Sequence, residues 1–172
     1  MSIALAGAKR GEIWHWAMID FHARLESLGL ELPAAPKPVA AYVPAVHSGN
    51  VIYVSGQLPL QDGKLLATGP VPSMVSLDAA RAAARQCVLG ALAIVDDQLG
   101  GEWSRFVRVI RLGAFVCSDR SFTEQHLVAN GASELLGELL GEAGRHARAA
   151  VGVIALPLGA TVAIELAVEV AF

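Results

Sequence analysis

Val162-Ala163-Ile164-Glu165-Leu166-Ala167-Val168-Glu169-Val170 alternates without a break: even-numbered positions hold Val, Ile, Leu, Val and Val, and odd-numbered positions hold Ala, Glu, Ala and Glu. A period of two is that of a β-strand, whose successive side chains point to opposite faces. One face of this strand is therefore core. Working backward, Pro157-Leu158-Gly159 suits a turn, and residues 149–156 read as the strand before it. In that strand Ala150 and Gly152 lie on the side of Arg148, while Ala149, Val151, Val153 and Ala155 line the other. Small residues beside a cation leave room for a ligand or another subunit.

Further outward the period changes. Ser76 is a good N-cap for a long helix in which Leu77, Ala80, Ala84, Val88, Ala91 and Val95 make an apolar stripe, ended by Gly100-Gly101. Residues 107–116 read as a strand. Ser121-Phe122-Thr123-Glu124 has capping-box spacing ahead of a second helix, with Val128, Ala132, Leu135 and Leu139 on one face and Gly141 and Gly144 closing it. Residues 42–47 and 51–58 flank Ser48-Gly49-Asn50, a predicted hairpin, with Gly56 marking a bulge or close backbone approach. At the front, Ile19, Leu25 and Leu28 recur at helical spacing before Gly29. Pro33, Pro36 and Pro38 then keep the connector extended.

The resulting order, β-β-(short β)-α-β-α-β-β, is an α+β pattern without a repeat. Residues 1–31 form an N-terminal extension with a short helix, and residues 32–172 form a single domain. Two long helices packed on one face of a sheet leave its other face needing cover, which a symmetric oligomer supplies.

Composition narrows the function. The 172 residues are 54% hydrophobic and 17% charged, with mean hydropathy +0.50, yet no apolar run approaches the roughly 20 residues of a spanning helix. Burial between subunits explains the excess better than a membrane. A net charge of −3 gives no global attraction for a polyanion, which makes nucleic acid an unlikely partner. Cys87 and Cys117 sit in different elements without metal-ligand spacing, so no disulfide framework or zinc site is indicated and a reducing cytoplasm fits. The start, with Lys9 and Arg10 followed by Gly11, Glu12 and Trp14, lacks the pattern of a secretion signal. Residues 1–17 read as loosely determined, and Trp14-His15-Trp16 reads as disorder or packing against a neighbour before it reads as a partner site.

Three segments in series carry a family resemblance: Ala41-Tyr42-Val43-Pro44-Ala45-Val46, then Gly49-Asn50-Val51-Ile52-Tyr53-Val54-Ser55-Gly56-Gln57-Leu58-Pro59, then Ala147-Arg148-Ala149-Ala150-Val151 with Leu156-Pro157. From about Leu32 onward the chain resembles the RidA-like (Rid/YjgF) proteins, also labelled endoribonuclease L-PSP. The resemblance implies a chorismate-mutase-like fold, a homotrimer, and ligand clefts between adjacent subunits. It also implies cofactor-free hydrolysis of the reactive enamines and imines that pyridoxal-phosphate enzymes form. Carried over by motif, Arg148 anchors a substrate carboxylate, Tyr42 and Ser55 line the cleft with the Gly56 backbone, and Asn130 approaches from the second helix. An arginine fork suits the task because it holds a 2-imino acid's carboxylate bidentately and leaves the imine carbon open to water.

Two positions depart from that pattern. Where deaminase members carry a Glu on the final strand this chain has Ala163, and where a Cys commonly follows the anchor arginine by two residues it has Ala150. Losing an acid-base group costs roughly 10²–10⁴-fold in rate. Glu165, about 7 Å along the strand, and His146, two residues before Arg148, are the candidate replacements. A noncatalytic module that binds a small carboxylate metabolite is the alternative, and ribonuclease activity a weaker one. Each residue also has a plain structural reading: Arg148 as an intersubunit ion pair, Tyr42 as an amphipathic strand residue, Ser55 as a hydroxyl satisfied by backbone, Asn130 as solvent-facing. His47, His126 and His146 occupy separate elements without ligand spacing, so no metal is expected. Cys117, without an activating base, reads as a small apolar residue.

Overall fold

A computed structural model describes residues 20–35 and 41–171. The first element is α1 (Phe21–Ser27), capped by Asp20, whose carboxylate accepts from the Ala23 amide at 3.0 Å. Phe21 and Leu25 bury their side chains in the main core, and Gly29 follows the helix with φ +64°. Residues 1–17, Ile19 and residues 36–38 of the proline connector lie outside the described residues.

The strands are β1 (Ala45–Ser48), β2 (Val51–Gln57), β3 (Leu60–Gln61), β4 (Lys64–Leu65), β5 (Phe106–Cys117), β6 (Ala147–Val153) and β7 (Val162–Val170); the long helices are α2 (Leu77–Leu99) and α3 (Gln125–Leu140). Five strands form one mixed sheet in the order β1-β2-β7-β5-β6, antiparallel except for the parallel pair β5 and β6, and β3 and β4 form a separate small ribbon. The fold is thus α+β, with both long helices on one face of the sheet. The alternating β7 lies at the centre: Val162, Ile164, Leu166, Val168 and Val170 are buried beneath the helices.

Cross-strand register assigns the faces. Val54, Leu166, Leu112 and Arg148 form one row on the helix-covered side, while Ala163, Phe115 and Val151 form a row on the open side. On that open face Val46, Tyr53 and Val151 are 53%, 53% and 45% exposed, which leaves apolar side chains without cover in a single chain.

Several boundaries differ from the sequence pattern for local reasons. The first strand begins at Ala45 and not at residue 42, because Pro44 has no amide for the ladder and 41–44 bend instead. The predicted capping box does not form: α3 starts at Gln125 after Glu124, which makes no side-chain cap, and the Gln125 amide nitrogen instead donates to the Phe122 carbonyl at 2.7 Å and the Ser118 hydroxyl at 3.2 Å. The strand at Arg148 spans Ala147–Val153 and not 149–156, since pairing with β5 holds Arg148 inside it and ends at Val153. Ser76 caps α2 as its type predicts, accepting from Ala79 N at 3.2 Å, and Gly100 closes it at φ +62°.

Candidate functional site

Arg148 is on an edge strand, on the face α3 covers, and exposed. Its Nη1 donates to Asn130 Oδ1 at 2.9 Å and Ser133 Oγ at 3.0 Å, and its Nη2 to the His126 carbonyl at 3.4 Å. His126, Asn130 and Ser133 are spaced by four and three residues, one face of α3. No acidic side chain pairs with Arg148 among the described residues. An arginine held by neutral acceptors keeps its charge unneutralised and its plane fixed.

The guanidinium is free to lie against α3 because Ala150 and Gly152, next on the same face of β6, project little or nothing. A Cβ at Gly152 would come within 2.8 Å of Gln125 Nε2 and Ser118 Oγ. The helix itself sits close to α2 through Gly131, where a Cβ would fall on the Arg81 carbonyl.

Behind the arginine, Ser133 Oγ is 3.0 Å from His146 Nε2, and His146 Nδ1 is 2.6 Å from the Gly144 carbonyl. Burial holds His146 below the usual imidazole range; the hydrogen bond to Gly144 opposes that shift and the charge of Arg148 adds to it. Ser133 escapes motif reading; its one sequence signal is a spacing of three from Asn130 on a helix.

The remaining expected site residues lie elsewhere. Tyr42 is 62% exposed, and Ser55 donates its hydroxyl to the Val43 carbonyl at 2.8 Å while its amide donates to Pro44. Gly56 falls where the β2–β7 register shifts between Val54 and Gln57. β2 is separated from β6 by β7 and β5, about 14 Å at ordinary strand spacing. One chain therefore brings Arg148, Asn130 and His146 together and leaves Tyr42, Ser55 and Gly56 on the far side of the sheet.

Glu165 shares the open face with Ala163, as alternation requires. Its carboxylate lies over Gly113: a Cβ there would be 2.6 Å from Oε1. The face carrying Glu165 is opposite the face carrying Arg148, so the two do not meet in one chain. Of the candidate acid-base groups, only His146 is connected to the anchor, through Ser133. The thiols are poor nucleophiles: burial pushes Cys87 far up, and burial with Asp119 pushes Cys117 up. Among the described residues no three His, Cys, Asp or Glu group as metal ligands, and no helix is long and apolar enough to cross a membrane.

Residues 22–170 match the family model described as "YjgF/chorismate_mutase-like, putative endoribonuclease". The chain is 46% identical over 148 residues to Protein TCP17 of Trypanosoma cruzi, covering 86% of this chain and 92% of that one. Among solved structures it resembles the protein Atu1372, of unknown function, from Agrobacterium tumefaciens: 49% identity, TM-score 0.83, over 90% of this chain and 96% of that one. It shares its fold with E. coli TdcF, solved with bound serine, at 23% identity and TM-score 0.58 over 78% of this chain and 92% of that one.

Proposed function

Because this chain belongs to the YjgF/chorismate-mutase-like family, we propose that it hydrolyses reactive 2-imino acids or their enamine tautomers to 2-oxo acids and ammonia, without a cofactor, using Arg148 to anchor the carboxylate. The observation that carries the reading is an exposed arginine oriented by three neutral acceptors and opposed by no acid among the described residues. Of its five N–H donors three are spent on Asn130, Ser133 and His126, leaving two for a ligand. The leaving group is ammonia: water adds to the imine carbon, a proton passes to nitrogen, and the C–N bond breaks.

The cleft is completed by a second copy in a homotrimer. Two observations support this: Tyr42 and Ser55 lie across the sheet from Arg148, and the open face carries uncovered Val46, Tyr53 and Val151. Burying that face between copies also accounts for the apolar composition.

A second reading is favoured by Ala163. It is buried opposite Phe115 and offers no group to hold water. On that reading the protein binds a small carboxylate without turning it over. One experiment separates the two: an amino acid oxidase generates 2-imino acids from several amino acids, and imine loss is followed with wild type and Arg148→Ala. Acceleration that vanishes in the variant supports hydrolysis. Acceleration that survives overturns the anchor, and binding of serine or pyruvate without acceleration favours the binding module.

A further inference from the structure

We propose that Ser133 and His146 are positioning residues for the anchor: a hydrogen-bond chain of fixed polarity, Gly144 to His146 to Ser133 to Arg148, sets the guanidinium, and protonating His146 undoes it. The inference rests on the reading of Arg148 as the carboxylate-binding group.

Each link of the chain allows one direction. The Gly144 carbonyl can only accept, so the hydrogen on His146 sits on Nδ1. On a neutral ring Nε2 is then bare, and the Ser133 hydroxyl must donate to it. With its hydrogen committed there, Ser133 Oγ presents lone pairs to Arg148 Nη1, which is where the arginine donates. Asn130 Oδ1 takes the other Nη1 hydrogen, so this end of the guanidinium is held on both sides. The two N–H groups left over are thereby fixed in direction, as bidentate recognition requires.

Protonation reverses the middle link. With hydrogens on both ring nitrogens, Nε2 becomes a donor toward Ser133 Oγ, whose own hydrogen loses its acceptor. One hydroxyl oxygen then stands between two cations. The burial that keeps His146 neutral at neutral pH keeps the chain in its anchoring polarity, and the effect belongs below the ordinary imidazole range. Other charged groups around the ring are largely paired or shared. Arg145 pairs with Glu142 at 3.2 Å, and Glu134, next to Ser133, pairs with Arg81 at 2.7 Å. Arg108 and Glu169 line the same groove as Arg145 and His146, with Asn50 bonded to Glu169 at 3.2 Å.

The sign of the pH dependence is diagnostic. A second cation near a bound carboxylate would by itself tighten binding at low pH. The chain predicts the reverse, because loosening acts on the anchor directly while the ring is one hydroxyl further away.

The test measures pyruvate affinity calorimetrically on the intact protein from about pH 7.5 down to about pH 5. Wild type should weaken roughly five- to tenfold over that range. His146→Gln keeps an amide oxygen to accept from Ser133 but cannot titrate, so it should bind like wild type at the upper pH and show a flat profile. Ser133→Ala, a change tolerated by a helix, should bind several-fold more weakly at the upper pH, also with a flat profile. Arg148→Ala separates the two claims. If it leaves affinity unchanged, the anchor reading fails; if it abolishes binding while His146→Gln follows the wild-type profile, only the chain fails. Tighter wild-type binding at low pH also overturns the chain. If wild type binds no pyruvate, NMR on ligand-free protein decides: the Arg148 Nε–H resonance should shift with His146 protonation in wild type and stay constant in His146→Gln, and a constant wild-type resonance overturns the inference.

Discussion

Replacing Arg148 with Lys keeps the charge and removes the fork, which separates a point charge from a bidentate anchor. In the structure Nη1 is consumed by Asn130 and Ser133 and one Nη2 hydrogen reaches the His126 carbonyl, so Nε–H and the second Nη2–H remain, and the bidentate reading has a carboxylate take both along the Nε–Nη2 edge. Hydrogen bonds to charged groups are worth about 1.5–3 kcal/mol each when well protected. The site is exposed, so the low end applies and solvent screens part of it. Losing both to alanine should cost about 2–3 kcal/mol, roughly 30- to 150-fold in Kd. A lysine ammonium would recover attraction without parallel geometry and be drawn toward Asn130 and Ser133, leaving a loss of roughly tenfold. Calorimetry with pyruvate and serine reads both variants against wild type, with thermal melting as the control for fold. Equal affinity of Arg148→Lys and wild type would refute the bidentate reasoning, because nothing in a single ammonium reproduces that edge.

Gly131→Ala tests the packing beneath the site. Its Cβ would fall on the Arg81 carbonyl, so α2 and α3 must separate at a cost of about 1–3 kcal/mol, read as a drop of roughly 2–12 °C in Tm; an unchanged Tm would mean the helices are not held that close. Light scattering should give three times the chain mass, and a monomer would remove the intersubunit cleft. Tyr53→Glu, which charges the uncovered apolar part of the open face, should shift that mass toward monomer while far-ultraviolet circular dichroism stays constant.

The legible parts of the fold were those set by local chemistry. The clean alternation of residues 162–170 identified a one-sided core strand, and that strand is the sheet's centre. The stripes on both long helices identified their buried faces, and Ser76 its cap. What failed depended on competition between groups. Ser121 and Glu124 have capping-box spacing, but Gln125 turns its amide to Phe122 and Ser118. Residues 42–44 read as the start of the first strand, but Pro44 interrupts the ladder and the strand begins at Ala45. The site divides in the same way. Arg148 and Asn130 stand out as types at matching motif positions, and they touch. Ser133 does not stand out, because one serine in a helix signals nothing until the strand that brings Arg148 and His146 beside it is in place.

The sheet order also changes how the missing glutamate weighs on the reaction. Ala163 and Arg148 lie on opposite faces and two strands apart, so a glutamate at 163 would not have reached the arginine of its own chain. The same holds for Glu165, which reclines over Gly113 on the open face. Any acid from the final strand would therefore have to serve the arginine of a neighbouring copy, at a position set by the interface and not by strand alternation. A shift of two residues along β7, about 7 Å, is then a question of how one copy sits on the next. His146 is bound by no such condition, since its link to Arg148 runs through Ser133 within the chain. The two candidates thus make separable demands: a role for Glu165 requires assembly, whereas the effect of His146 on the anchor persists in a monomer.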